Sequence, residues 1–322
     1  MNKNEITIML YNVEHMGQMF YKNGFAENEA GRISGLAEII FSIKPHILCI
    51  VEAAKKEWMH QLFLEKTTLS QLGYRIARSV NDRGIHELVF YYREPLELVS
   101  LDTDIDFYKQ WSVDIDNDGI EEIFNFERAP LEGVFRINGT DETFRLILAS
   151  TKSKGVFVSA DIMRYQALAI ANRKKLLAQS VKIRERLDYL LIKDPHEKII
   201  VAGDLNDDPG TDGFERMVGG SALETIMGSV FEPELIFHNT LHYWTKDKAR
   251  GRELYTTEFH DPIVKNQVIH KSWIDHILIS PGLRRNDQSL RYIEDSGMIA
   301  EKSDTARMVS DHFPIYCGFQ WG

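Results

Sequence analysis

Residues Ile47 to Val51 form an unbroken apolar run of strand length. A strand with no polar alternation is covered on both faces, so the fold must supply a layer on either side of it. Runs of strand length recur at Ile6 to Tyr11, Glu87 to Tyr92, Phe144 to Ala149, Lys198 to Ala202, Trp273 to Ile279 and Pro314 to Phe319. Helical spacing lies between them. Ile33, Leu36, Ile40 and Ile43 share one helix face that Pro45 closes. A longer helix is predicted from near Asp161, with Tyr165, Leu168, Leu176, Leu187 and Leu190 as its apolar positions. No repeat, low-complexity tract or Pro/Gly/Ser-rich linker divides the chain. Its 322 residues can bury a full core, and the expectation is one α/β domain over residues 1–322.

Composition narrows the function less than the fold. Lys plus Arg number 38 and Asp plus Glu 48, a net charge of −10. That balance argues against a whole-surface grip on nucleic acid but leaves room for a local basic groove. Cys49 and Cys317 both sit in apolar runs and read as buried free thiols rather than a disulfide framework. No stretch approaches the roughly 18–20 apolar residues of a membrane helix. The N-terminus enters a strand-like run directly, without the basic and long apolar regions of a signal peptide. A cytoplasmic, monomeric protein without a membrane anchor is expected.

The informative residues are polar groups placed where strands end. Asn12-Val13-Glu14 follows the first strand, and Glu52 follows Ile47 to Val51. Gly203-Asp204-Leu205-Asn206-Asp207-Asp208-Pro209 follows Lys198 to Ala202. Asp275 lies within Trp273-Ile274-Asp275-His276-Ile277, and Ser310-Asp311-His312-Phe313-Pro314 leads into the last strand. Ligands of α/β proteins gather where strands end. Taken singly, each has a plain alternative, because Asp or Asn after a strand commonly starts a turn or caps a helix. Asp275 is different. A carboxylate buried in an apolar strand must find a partner, and His312 is the natural candidate.

In this order the motifs resemble the endonuclease/exonuclease/phosphatase superfamily, over essentially the whole chain from Asn12 to His312. The resemblance implies a four-layer α/β/β/α sandwich, with two mixed sheets packed face to face and helices outside. It also implies metal-assisted attack of water on a phosphate ester. Carried over to these positions, Glu52 is the principal metal carboxylate, with Asn12 and Asp311 nearby. Asp204 orients or deprotonates the water, and Asn206 holds it or a phosphate oxygen. His312 stabilises or protonates the phosphoryl group, and Asp275 orients His312. Such hard oxygen donors suit Mg²⁺ or Mn²⁺, and no Cys/His cluster in the sequence offers a zinc alternative. Arg128, in Glu127-Arg128-Ala129-Pro130-Leu131, either contacts phosphate or pairs with a carboxylate.

One position departs from the pattern. Most family members carry a histidine after the strand Phe144 to Ala149, where this chain has Ser150, in Ala149-Ser150-Thr151-Lys152-Ser153-Lys154-Gly155. His86 is the nearest substitute for reaching the phosphate; its plain alternative is a core or surface histidine. Asp114 to Gly119 spells the start of a calcium loop, but the twelfth position is Asn125, and a hairpin turn around Asn117-Asp118-Gly119 is the better reading. Residues 240–262 interleave aromatic and basic side chains, with Trp244 either stacking on a substrate base or tucked into the core. The basic run Arg173 to Arg186 reads as a solvated helix face. The expected function is divalent-metal-dependent hydrolysis of a phosphate ester by a nuclease-like phosphodiesterase. Lys152, Lys154 and the 246–252 segment would attract the nucleic acid locally. A phosphatase of a small molecule or lipid headgroup is the alternative, and a non-catalytic binding protein on the same fold is the third.

Overall fold

The apolar runs pair into two mixed sheets. A computed structural model describes residues 4–79, 86–102, 106–156, 162–260 and 268–322. The helix start expected near Asp161, Gly84 and Ile85 beside His86, and the last two residues of the 240–262 segment lie outside these. In chain order, the elements that matter below are β1 (Glu5–Asn12), α1 (Ala30–Ile43), β2 (Ile47–Ala53), β3 (Glu87–Tyr92), β4 (Thr143–Ser150), α2 (Ile162–Lys193), β5 (Ile199–Asp204), β6 (Asp275–Ile279) and β7 (Ile315–Gln320).

The first sheet runs Arg291–Tyr292, β7, β1, β2, β3, Arg75–Arg78, with Met298–Ile299 added against β7. β1 and β2 are parallel, whereas β1 and β7, from opposite ends of the chain, pair antiparallel. The second sheet runs His238–Asn239, β6, β5, β4, Leu131–Ile137, Leu96–Asp102. Here β4 and β5 are parallel and β6 is antiparallel to β5.

Period-two alternation sorts each strand's side chains into two layers. Ile6, Ile8 and Leu10 of β1 enter a core shared by both sheets, with Phe90, Phe135, Leu146, Ile200 and Ile277. Met9 and Tyr11 face the other way, onto Ile33, Leu36 and Ile40 of α1. On the outside of the second sheet, Ile147, Ile199 and Val201 are covered by Ile183, Leu187 and Leu191 of α2. The result is the expected order of helix, sheet, sheet and helix. Cys49 and Cys317 are buried and free. Among the described residues, no helix is long and apolar enough to cross a membrane.

Two expectations for α2 need correction. Tyr165 and Leu168 are 37% and 39% exposed rather than core positions. The first turns of α2 overhang the cleft described below instead of lying on the sheet. The basic run is not a solvated face either. Arg173 pairs with Asp212, Lys175 with Glu127, and Arg186 with the buried Glu132. Lys174 reaches Asp116 at 2.8 Å and Glu122 at 3.2 Å, across the hairpin of Trp111–Val113 and Glu122–Phe124. The Asp114 to Gly119 segment is therefore the expected hairpin turn, with an ammonium group against its carboxylates. Helical periodicity shows which residues share a face but not which loop folds over that face.

Candidate active site

The same alternation that fills the inter-sheet core also ends it. Asn12 continues the inward series Ile6, Ile8, Leu10; Ser150 continues Phe144, Leu146, Leu148; Asp204 continues Ile200, Ala202; and Asp275 precedes Ile277, Ile279. All four are buried, and together they form a polar mouth on an apolar interior. Ladder register aligns them, with Ser150 opposite Asp204 and Asp204 opposite Asp275. Gly203 makes this alignment possible, since a Cβ there would stand 2.1 Å from the Ala149 carbonyl oxygen. Glu52 reaches the mouth by another route. Strict alternation in β2 would turn it outward, toward the helices. Its left-handed φ of 56° coincides with an irregularity in the β2–β3 ladder between Ile50 and Ala53, and it lines the cleft instead.

A continuous chain of polar contacts links the mouth. Asn12 Nδ2 donates to Asp204 Oδ2 at 3.1 Å and stands 3.4 Å from His312 Nε2. His312 Nδ1 meets Asp275 Oδ2 at 2.7 Å, which is the pairing expected from Asp275's burial. Asp204 Oδ1 accepts the Asn206 backbone N–H, and Asn206 Nδ2 donates to the Thr151 carbonyl, both at 3.1 Å. The Ser310 hydroxyl donates to the Asn12 carbonyl at 2.8 Å and accepts the His312 N–H at 3.1 Å, which ties the first and last strands together.

The electrostatics follow from burial and crowding. Burial, reinforced by the Asp275 and Glu52 charges, pushes the Asp204 carboxyl up to about 7, against the pull of His312. Burial works against charging His312. Asp275, by charge and hydrogen bond, outweighs it together with Asp204 and Asp311, and holds the imidazole up at about 10. Asp311 is raised by burial and by Glu14, Glu52 and Asp275. Burial also opposes ionisation of Glu52, but His15, His86 and Arg128 bring its carboxyl below the usual range.

These groups open on a cleft of ≈ 930 Å³. Glu52, Asp204, Asn206, Asp311 and His312 line it, together with Arg128, Ser150 and Lys152. Arg128 donates to the Ser150 hydroxyl at 2.9 Å, so a guanidinium stands beside the position where the histidine was expected. Lys152 pairs with no carboxylate among the described residues. Phe259, His260 and His270, from the hairpin of Thr257–His260 and Ile269–Ser272, form part of the rim.

A sequence profile described as the Endonuclease/Exonuclease/phosphatase family matches residues 9–312. The chain belongs to this family. No curated protein sequence matches it. TDP2 from C. elegans has a similar fold, with a TM-score of 0.56 at 14% identity, covering 98% of this chain and 75% of that one. The human Nocturnin catalytic domain with bound sulfate gives 0.55 at 15%, covering 99% and 94%. D. rerio TDP2 complexed with single strand DNA product gives 0.54 at 16%, covering 98% and 99%. At such identities the likeness concerns the fold.

Endonuclease/exonuclease/phosphatase enzymes hydrolyse phosphoester bonds and use divalent metal ions. The mouth fits a cation. Neighbouring carboxylates help raise the pKa of Asp204 and Asp311, and Asp275 Oδ1 is buried without a partner. The structure thus brings Asn12, Asp204, Asn206, Asp275 and His312 into one network, and sets Glu52, Asp311, Arg128, Ser150 and Lys152 around the same cleft. Trp244 is not among them. It is buried in the inter-sheet core with Nε1 donating to the Gly297 carbonyl at 3.1 Å, and Arg250 stacks over it. Arg250 also packs on Tyr243, and of the 240–262 segment Thr257, Phe259 and His260 line the cleft, whereas Trp244 and the 246–252 stretch do not. Lys154 is likewise engaged, by Asp207 and the buried Glu215. His86 contacts Glu52 and His15. With them it forms a His/carboxylate cluster, which the expectation of oxygen donors alone had left out. His15 had a visible signal, since it directly follows Asn12-Val13-Glu14. Nothing in the sequence links it to a histidine 71 residues away.

Proposed function

We propose that this protein is a nuclease-like phosphodiesterase that cleaves a phosphate ester with water. The observation that carries the reading is the unbroken network Asn12–Asp204 and Asn12–His312–Asp275 at the mouth of the cleft, across from Glu52. Glu52 would hold a divalent ion, with Asp311 and Asn12 nearby, and such an ion supplies Lewis-acid stabilisation of phosphoryl charge. The remaining work falls to side chains. Asp204, poised near neutrality, accepts a proton from water as the water oxygen bonds to phosphorus and the ester bond to the leaving oxygen breaks. Asn206 positions that water, with its amide nitrogen already anchored on Thr151. His312, kept charged by Asp275, donates from Nε2 to a phosphoryl oxygen as negative charge grows there. Arg128 and Lys152 bind the non-reacting phosphate oxygens.

The rim aromatics and Lys152 favour a nucleic-acid strand over a small phosphate. The single strand DNA product in the D. rerio TDP2 structure agrees with that preference. We read residues 1–322 as one domain because β1 and β7 pair and His312 bonds to both Asn12 and Asp275. A cytoplasmic location is part of the reading and rests on the two buried free thiols.

The test is turnover of bis-p-nitrophenyl phosphate, plasmid, single-stranded RNA, inositol phosphates and sphingomyelin, with and without chelator. Diester and plasmid cleavage that needs metal and disappears in Asp204→Asn and His312→Gln is expected. Hydrolysis of monoesters or a lipid headgroup alone would move the protein to the phosphatase class. Metal-independent turnover would refute the mechanism.

A further inference from the structure

His15, Glu52 and His86 present three donor atoms to one point. His15 Nδ1 lies 2.8 Å from His86 Nε2 and 3.0 Å from Glu52 Oε2, and His86 Nε2 lies 3.9 Å from the same oxygen. The imidazole rings stack with centroids 4.6 Å apart. Three separate segments supply the donors: the turn after β1, the irregular end of β2, and the residue before β3.

Hydrogen bonding alone does not satisfy this triangle. If Nδ1 of His15 carries a proton, that proton points at Glu52 or at His86, or is split weakly between them. If His86 donates to His15 instead, the Nδ1 lone pair faces a carboxylate oxygen at 3.0 Å. That oxygen already accepts the His15 backbone N–H at 3.0 Å. A cation at the centre satisfies all three donors at once. Donors bound at roughly 2.0–2.2 Å to one tetrahedral or octahedral ion stand about 2.8–3.6 Å apart. Two of the three separations lie in that span, and the third, from His86 to Glu52 at 3.9 Å, lies just above it.

We infer that His15 and His86 are direct ligands of the ion that Glu52 holds. The site then takes a divalent transition metal such as Zn²⁺, Co²⁺ or Mn²⁺ through two imidazole nitrogens and one carboxylate oxygen, in preference to Mg²⁺ through oxygen alone. Imidazole binds borderline ions far better than it binds Mg²⁺, which favours water and carboxylates. Three ligands also leave coordination positions open toward the cleft, where His15 and Glu52 are wall residues. The inference rests on the phosphoesterase reading for the ion's role, but its test reads ligation directly.

The full metal-stripped chain is titrated with Zn²⁺, Co²⁺, Mn²⁺ and Mg²⁺ by calorimetry. Nitrogen couplings are recorded by pulsed electron paramagnetic resonance on the wild-type protein loaded with Mn²⁺ or Cu²⁺. One ion per chain is expected, with Zn²⁺ and Co²⁺ binding roughly 100-fold or more tighter than Mg²⁺. Imidazole nitrogen couplings are also expected. A folded His15→Gln/His86→Gln double variant should lose the couplings and most of the Zn²⁺ preference. Wild-type protein without nitrogen couplings, or with equal affinity for Mg²⁺ and Zn²⁺, overturns the assignment whether or not the variant folds. Hydrolysis supported by Mg²⁺ with no nitrogen ligation overturns this inference and leaves the phosphoesterase reading intact. Nitrogen ligation with no ester hydrolysed does the reverse.

Discussion

Asp204 and His312 sit 3.1 and 3.4 Å from the same Asn12 amide, and both hold protons beyond their usual range. The folded Asp204 carboxyl titrates near 7 instead of 3.8, so the folded state binds the extra proton and loses stability as pH rises between those values. Asp204→Asn should therefore raise the melting temperature of chelator-treated protein at pH 8, by about 2 °C or more, and leave it nearly unchanged at acid pH. The same change should lower turnover roughly 10²–10⁴-fold. A variant less stable than wild type at pH 8 would contradict the origin assigned to the shift. His312 is also raised, from 6.5 to about 10. Its contribution is complete below pH 6.5 and disappears as pH climbs through 10. Urea midpoints of His312→Gln and wild type should thus differ most at pH 6, where breaking a buried pair costs about 3–5 kcal/mol, and converge above pH 10.

At the scale of elements, the site depends on two places where ordinary strand geometry is altered. β4 and β5 approach so closely at Ala149 and Gly203 that only glycine fits. Gly203→Ala should destabilise the protein by about 1–3 kcal/mol in urea unfolding. It should also cut turnover disproportionately, because Asp204 is the next residue. Unchanged kinetics in the folded variant would mean the strands can part without moving the carboxylate. The second place is the irregular end of β2, which turns Glu52 from the helix side to the cleft. Apolar runs made the central strands legible, including β2, β5 and β7. Leu131–Ile137 was not expected as a strand because Glu132 and Arg136 interrupt its pattern. Glu132 is nevertheless buried, beneath Arg145 and Arg186, partners that the local sequence does not announce.

For the molecule as a whole, a net charge of −10 coexists with a cleft wall carrying Arg128 and Lys152. Attraction of a polyanion is then local and screened, over about 10 Å at 0.1 M salt. Plasmid cleavage should fall steeply between 50 and 300 mM salt while bis-p-nitrophenyl phosphate turnover changes little. Equal salt sensitivity would argue against an extended nucleic-acid contact. Metal links the site to global stability. An ion at 100 times its dissociation constant adds about 2.7 kcal/mol, so chelator should lower the melting temperature of wild type but not of Glu52→Gln.

The sequence by itself determined the layered α/β class, the central strands and the strand-end residues Asn12, Glu52, Asp204, Asp275 and His312. Burial periodicity and polar groups at the ends of apolar runs are local signals. The resemblance carried by those motifs supplied the chemistry. Tertiary structure alone decided the rest. It placed Trp244 in the core, spent Lys154 and the α2 basic run on ion pairs, set Arg128 against Ser150, and joined His15 to His86 beside Glu52. The physical reason is common to all of these. A side chain's partner is set by which strands lie side by side and by where a ladder breaks its alternation, and neither is written within the few residues around it.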